Sequence, residues 1–245
     1  MLLPQQGKSM GKSNPGGAAS NLILLSLAQK DLALLEPDLE SVDLPLRHQL
    51  ESRNRRIEFV YFPDRGFASV VANGESSRQV EVGLIGREGM TGVALLMGAD
   101  RTPTETYIQM AGNGRRLRAA SFVRAMAESA SLHRSCLKFA HTLVVQATHT
   151  AAANARNKLE ERLARWLLMA HDRADGDDLP LTHELLGFML GTQRPGVTVT
   201  LKELERRGCV RTRRGVISII DRASLEKSAG GAYGAPEAEF KRLFR

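Results

Sequence analysis

The 245-residue chain is poor in cysteine: it has Cys136 and Cys209 alone, with no Cys-x-x-Cys pair and no cluster with histidine at metal-ligand spacing. That excludes a disulfide framework and an iron–sulfur centre, and leaves two buried or half-exposed free thiols that suit a reducing, cytoplasmic setting. No apolar run approaches the roughly 20 residues that cross a bilayer, so no membrane partner is expected. Residues 1–20 (MLLPQQGKSMGKSNPGGAAS) lack the continuous apolar core of an export signal and read as a disordered tail. Catalytic signatures are missing too. There is no Gly-x-Ser-x-Gly, no HExxH and no phosphate loop, and the histidines fall in helical segments without carboxylates at useful spacing, which argues against a hydrolase or any other enzyme. His133, His141 and His149 do not make a metal site. A spacing of eight turns each by about 80° and advances it about 12 Å along a helix, so no ion is expected between them.

What is present is positive charge, and most of all where it sits. Lys and Arg number 34 against 27 Asp and Glu, a formal charge of +7 that suits an anionic partner. Between Gln193 and Arg214 the basic residues are Arg194, Lys202, Arg206, Arg207, Arg211, Arg213 and Arg214, against Glu203 and Glu205, a net of +5 on a short segment. A solvated face is the plainer reading of a basic run; a phosphate footprint is the sharper one.

The surrounding pattern favours the footprint. Over 179–221 the chain reads as helix, tight turn, helix and small hairpin, a winged helix-turn-helix. Thr182 is a cap for the first helix, with Glu184 in its first turn where the dipole favours an acid. Leu185, Leu186, Met189 and Leu190 make its apolar stripe, and Gly191 supplies the residue able to take positive φ at the turn. Thr192 reads as the second cap, and Pro195 is tolerated in a first turn whose amides lack partners. Val197, Leu201 and Leu204 form the inner face of the second helix. Pro195, Val199, Lys202 and Arg206 then point outward, with Thr198 on the flank. The return strand GVISII brings Arg213 and Arg214 to a hairpin tip.

Upstream, NLILLSLAQKDLALLEPDLESVDL reads as one or two short helices interrupted at Pro37. From Ile57 to Leu117 short β-rich runs alternate with turn signals at Pro63-Asp64, Asn73-Gly74, Gly86, Gly98 and Asn113-Gly114, which predicts an antiparallel roll or barrel. SFVRAMAES is a short helix. Ser131 to Arg156 is a long one whose stripe Leu132, Cys136, Phe139, Leu143, Ala147, Ala151 and Asn154 recurs at three and four. KLEERLARWLLMA opens the C-terminal unit, DRADGDD is an exposed connection, and EKSAGGAYGAPEAEFKRLFR mixes a linker with a short basic amphipathic end.

The segment LTHELLGFMLGTQRPGVTVTLKELERRGCV, with LEERLARWLLMAHDR before it and the hairpin after it, resembles the helix-turn-helix of the Crp/Fnr transcription regulators. LALLEPDLESVDLPLRHQL, VYFPDRGFASVV and VEVGLIGREGMTGVALLMGA resemble that family's sensor domain, so the resemblance runs from Asn21 to Ala223. It implies an α+β chain with a cyclic-nucleotide-binding-like β-roll over 21–130, a dimerisation helix over 131–156, a winged helix-turn-helix over 157–223 and a C-terminal tail over 224–245. By the same resemblance the chain is a homodimeric regulator on palindromic double-stranded DNA. The long helix pairs two subunits through Leu132, Cys136, Phe139, Leu143, Ala147 and Ala151; packing of that stripe on its own sensor domain is the alternative. Activation would need a surface for RNA polymerase, and no motif defines one.

Arg194 then corresponds to the family's base-reading arginine. Gln193, Thr198 and Val199 are further base-contact candidates, and Thr182, Thr192, Lys202, Arg206, Arg213 and Arg214 are phosphate contacts. Relatives that bind cyclic nucleotides carry a Gly-Glu-Leu segment and a following Arg-Ser-Ala or Arg-Thr-Ala. Here Val93 stands in place of the glutamate and Pro103 in place of the arginine, which argues against cyclic AMP and leaves the effector unknown. Arg87 and Glu88 are the polar pair nearest this vestigial pocket, with a structural salt bridge as their plainer role. The cysteine cluster of oxygen-sensing relatives is missing. His48 is the one histidine ahead of His133, so a haem has no positive support and no cofactor is expected. A module that docks RNA or an acidic protein through the basic helix stays open.

Overall fold

Two long strands carry the N-terminal half. The computed structural model describes residues 20–73 and 79–244; the segment read as an N-terminal tail lies, through residue 19, outside them. In chain order come helices α1 (Leu22–Ser26) and α2 (Gln29–Leu35), strands β1 (Glu40–Leu44), β2 (Gln49–Glu51), β3 (Phe59–Asn73) and β4 (Gln79–Ile85), a single helical turn α3 (Val93–Leu96), then β5 (Glu105–Arg118). The sheet is antiparallel in the order β1-β5-β3-β4, with β2 also on β5. Pro63-Asp64 and Asn113-Gly114 are not turns, as the composition implied, but bulges inside continuous strands of 15 and 14 residues. There the backbones cross so closely that a Cβ on Gly112 would lie 2.0 Å from the Arg65 carbonyl oxygen, which is why glycine stands at the crossing.

Helices α4 (Ala119–Glu128) and α5 (Ala130–Arg156) follow. Ser129 caps α5 by accepting from the Leu132 amide at 3.2 Å. The first half of α5 closes one core with α1, α2 and α4: Leu132, Cys136 and Phe139 lie against Phe62, Ile85, Met90 and Phe122. Burial pushes the Cys136 thiol up to about 12, so it is an inert packing group. Gln146 reaches from α5 to the strand edge: its Oε1 accepts from the Leu84 amide at 2.5 Å and its Nε2 donates to the Leu84 carbonyl at 3.2 Å.

The C-terminal unit comprises α6 (Leu159–His171), β6 (Asp178–Leu179), α7 (His183–Met189), α8 (Arg194–Arg206), β7 (Val210–Arg213), β8 (Val216–Ile219), α9 (Arg222–Ser228) and α10 (Ala235–Phe244). The acidic connection contributes an edge strand, so the hairpin is a three-stranded sheet in the order β6-β8-β7. A boundary at Ala223 falls inside α9, whose Leu225 is buried in the same core as Leu163, Leu167, Val197 and Leu201. The tail is not loose either. Tyr233 donates to Asp172 at 2.7 Å, and α10 lies along α5 with Phe244 against the sensor core and Glu239 at 2.8 Å from His141. His133 Nε2 is 3.2 Å from the Leu96 carbonyl.

Candidate nucleic-acid interface and sensor pocket

Thr182 caps α7 through the Leu185 amide at 3.2 Å, and Gly191 takes φ +60° at the turn. The residue that precedes α8 as its cap is Gln193, not Thr192, and no side chain caps that end; Thr192 instead donates its amide to the Gly187 carbonyl at 2.8 Å. Pro195 sits in the first turn of α8, where it removes no helical hydrogen bond. Val197, Leu201 and Leu204 are fully buried against α6 and α7, and this fixes which way the helix faces. Arg194, Pro195, Lys202 and Arg206 are exposed, and Val199 is 69% exposed, unusual for a valine and unexplained by packing within the chain.

Glu205 accepts from the Thr212 amide at 2.7 Å and from its hydroxyl at 3.0 Å, which fixes the hairpin against the end of α8. Gly215 at φ +75° makes the tip, beside exposed Arg213 and Arg214. Not every expected contact is free. Arg206 is paired with Glu203 at 2.7 Å, and Arg207 with Glu203 at 2.9 Å and Glu160 at 2.7 Å; those hydrogen bonds hold the Glu203 carboxyl down at about 2. With a carboxylate three residues away on the same helix face, Arg206 is an already neutralised cation. Thr198 is half-buried: it donates to the Arg194 carbonyl at 3.0 Å and lies 2.9 Å from His183 Nδ1, so it ties α7 to α8. Among the described residues Arg194, Lys202, Arg211, Arg213 and Arg214 make no ion pair. They are the cations open to a polyanion.

Residues 161–228, from α6 to α9, match the Crp-like helix-turn-helix domain family. Most of the chain superposes on solved Crp/Fnr structures. One is described as a putative transcriptional regulator of that family from Eubacterium rectale, 17% identical, with a TM-score of 0.67 over 85% of this chain and 98% of that one. The chain has the fold of the Crp/Fnr regulators, with a Crp-like helix-turn-helix domain over residues 161–228. A CRP-family regulator from Thermus thermophilus gives 0.65 at 20% identity over 79% and 99% of the two chains. FixK2 from Bradyrhizobium japonicum gives 0.65 at 17% over 77% and 96%. At such identities these likenesses carry the fold. No curated protein matches the chain by sequence.

The N-terminal half holds a cavity of about 260 Å³ between the roll and α5, lined by Val70, Val82, Ile85, Val93, Leu143 and Val144 among others, with Glu51 in its wall. Among the described residues no lysine or arginine lines it. Of the residues expected there, Val93 takes its place but Pro103 does not, and Arg101 is an exposed side chain turned to Asp100 at 3.1 Å. Arg87 and Glu88 lie elsewhere. Glu88 pairs with the buried Arg173 at 2.7 Å and Arg87 with Asp175, so both join the sensor to the C-terminal unit. Glu51, for which the sequence holds no signal, accepts from the Gly92 amide at 2.8 Å and from Thr106 at 2.5 Å. Burial pushes its carboxyl up, although both bonds pull it down. An acid in the wall and no cation make the cavity inhospitable to an anion.

The stripe assigned to subunit pairing is divided by the structure. Leu132, Cys136 and Phe139 are at most 2% exposed within one chain, consumed by the sensor core, and Leu143 and Ala147 line the cavity. Among the apolar residues that α5 leaves exposed are Leu137 (41% exposed), Val144 (59%), which also borders the cavity, and Ala151, at i, i+7 and i+14. Of the six residues expected at the seam Ala151 alone is exposed within one chain, and Leu137 and Val144 lie beside the expected stripe.

Proposed function

We propose that the chain is a sequence-specific DNA-binding transcription regulator that acts as a homodimer on an inverted-repeat operator and performs no catalysis. The exposed face of α8 carries the reading: an unpaired Arg194 at its first turn, an exposed Val199 one turn on, Lys202 beyond, and the Arg213-Arg214 tip alongside. In a major groove Arg194 would pair with guanine O6 and N7, Val199 would meet a thymine methyl, and the remaining cations would take phosphate. The heptad-spaced Leu137, Val144 and Ala151 are the seam we assign to a second copy of α5. Two-fold pairing would set the recognition helices about 34 Å apart, one turn of duplex. The regulators among the structural neighbours support the same reading.

Selection of bound duplexes from a random pool by purified protein tests it. A palindromic winner is expected, and RNA or an acidic protein as the real partner would leave the pool without an enriched sequence.

Cyclic AMP is not the effector in this reading, because no described residue that lines the cavity neutralises a cyclic phosphate and Glu51 opposes it. A ligand at 100 times its dissociation constant stabilises a protein by about 2.7 kcal/mol. Millimolar cyclic AMP is therefore expected to leave the melting temperature unchanged, and a rise of several degrees would refute this assignment.

A further inference from the structure

The C-terminal unit is docked on the sensor sheet, and one acid is buried at the junction. Strand register sets Glu81 opposite Val71 and Leu84 opposite Ser69, skipping Val82, so Glu81 and Leu84 face the same side, towards α6. Glu81 Oε1 accepts from Trp166 Nε1 at 2.6 Å, and Oε2 lies 2.5 Å from Ser69 Oγ. Phe67 packs edge-on against Trp166, with ring centroids 6.5 Å apart, and Leu84 completes an apolar wall.

Among the described residues no cation touches the carboxylate. From α6, Arg165 faces it but donates to Thr150 at 3.1 Å, Arg162 donates to the Leu190 carbonyl, and Arg173, just beyond that helix, is held by Glu88. From β5 comes Tyr107, whose hydroxyl burial and Glu81 itself push up to about 12, and which has Glu105 nearby. α5 presents Thr150 and Asn154, and α7 with its following residue presents Met189 and Leu190, none of them charged.

We propose that this junction is a proton-responsive latch: neutral Glu81 holds the C-terminal unit on β4, and its ionisation releases it. In the neutral form the bonds balance, for Oε1 accepts from Trp166 while the acid proton on Oε2 is donated to Ser69. Loss of that proton leaves a buried charge with two neutral donors, and with Arg165 and Arg173 near enough to attract it but engaged elsewhere and not in contact, a state water stabilises better. Burial pushes the docked carboxyl up to about 7 from an ordinary 4.5, against the hydrogen bonds from Ser69 and Trp166 and the charges of Arg165 and Arg173, which lower it. The sign follows. A group whose docked value is raised favours docking in full below 4.5, loses about tenfold per pH unit above it, and gives nothing once pH has passed about 7. Release frees α6 to α9 to turn relative to α5, and so changes how α8 is presented.

Trp166 is the one tryptophan of the chain and reports directly on its own bond. We would follow its emission maximum and acrylamide quenching in the full chain from pH 5.5 to 8.5, with far-UV circular dichroism as the control for secondary structure. The wild type is expected to shift red and to become severalfold more quenchable through about pH 7 at constant helicity. Glu81→Gln keeps an acceptor for Trp166 and a donor for Ser69, and is expected to stay blue and protected across the range. Glu81→Leu gives the same reading should the glutamine variant not fold. A flat wild-type profile would overturn the proposal, as would a transition surviving in either variant, since both retain every histidine. Small-angle scattering on the wild type is a second readout: a larger radius of gyration at pH 8.5 than at 5.5 supports release, and equal radii overturn it.

Discussion

Arg194→Ala is expected to weaken binding to the selected inverted repeat by about 10- to 100-fold per half-site, corresponding to about 1–3 kcal/mol, and to leave binding to random duplex nearly unchanged. The physical ground is the first turn of α8. Arg194 is exposed, makes no ion pair among the described residues, and stands on a helix whose orientation Val197, Leu201 and Leu204 lock from beneath. A guanidinium held in that way meets a guanine edge with two parallel hydrogen bonds, and alanine removes both. Arg213→Ala at the hairpin tip is expected to behave differently. It should weaken all sequences alike and reduce the slope of log affinity against log salt by about one. A mobility-shift titration of both variants on cognate and scrambled duplex separates them; equal losses on the two duplexes for Arg194→Ala would remove it from base reading. Arg206→Ala is expected to do less than either, because its charge is already matched by Glu203.

Phe139→Ala is expected to destabilise the protomer by about 3–5 kcal/mol, a loss that does not depend on protein concentration. The ring is 2% exposed within one chain and lies against Met90, Ile85 and Phe122, and its edge also fills the space a Cβ on Gly89 would take, at 2.4 Å. Removing it opens a cavity that neighbouring backbone has little freedom to close. Val144→Glu makes the opposite test. That side chain is 59% exposed, so the fold should tolerate the acid within about 0.5 kcal/mol, while paired copies would bury two like charges at the seam. Denaturant unfolding of both variants, with sedimentation to read the assembly, checks the pair of expectations. A Phe139→Ala protein as stable as the wild type but monomeric would restore the stripe first assigned to pairing.

Much of the C-terminal unit is legible in the sequence because its signals are local. A cap at Thr182, a glycine at 191, a proline in the first turn and an apolar face at 197, 201 and 204 each act within one or two helical turns, and the structure has all four. Thr192 misled because a hydroxyl next to a helix start is a cap only if the backbone turns it inward, and here Gln193 occupies that position. A count of charges also does not say which are shared with neighbours, as Arg206 and Arg207 share Glu203.

The sensor half was legible as texture but not as detail. Proline-aspartate and asparagine-glycine are the residues of both turns and bulges, so they did not reveal that β3 and β5 run straight through. The long helix shows the deeper limit. Apolar residues at three and four mark a buried face without saying whose surface buries it, and Leu132, Cys136 and Phe139 are buried by their own domain. Glu81 is the same problem in a strand. A skip at Val82 together with the docking of α6 turns it inward, and no short window of residues contains either.

Gln146 gives α5 a particular kind of freedom. Its amide grips both the N–H and the carbonyl of Leu84, and the residues one turn away on the same face, Thr142 and Thr150, have single hydroxyls already given to the carbonyls of Phe139 and Gln146. Neither can take over both bonds if the helix advances by a turn. The helix is therefore pinned like a beam on a pivot: it can tilt or roll about Gln146, but it cannot ratchet lengthwise past β4 without leaving two backbone groups of the strand bare.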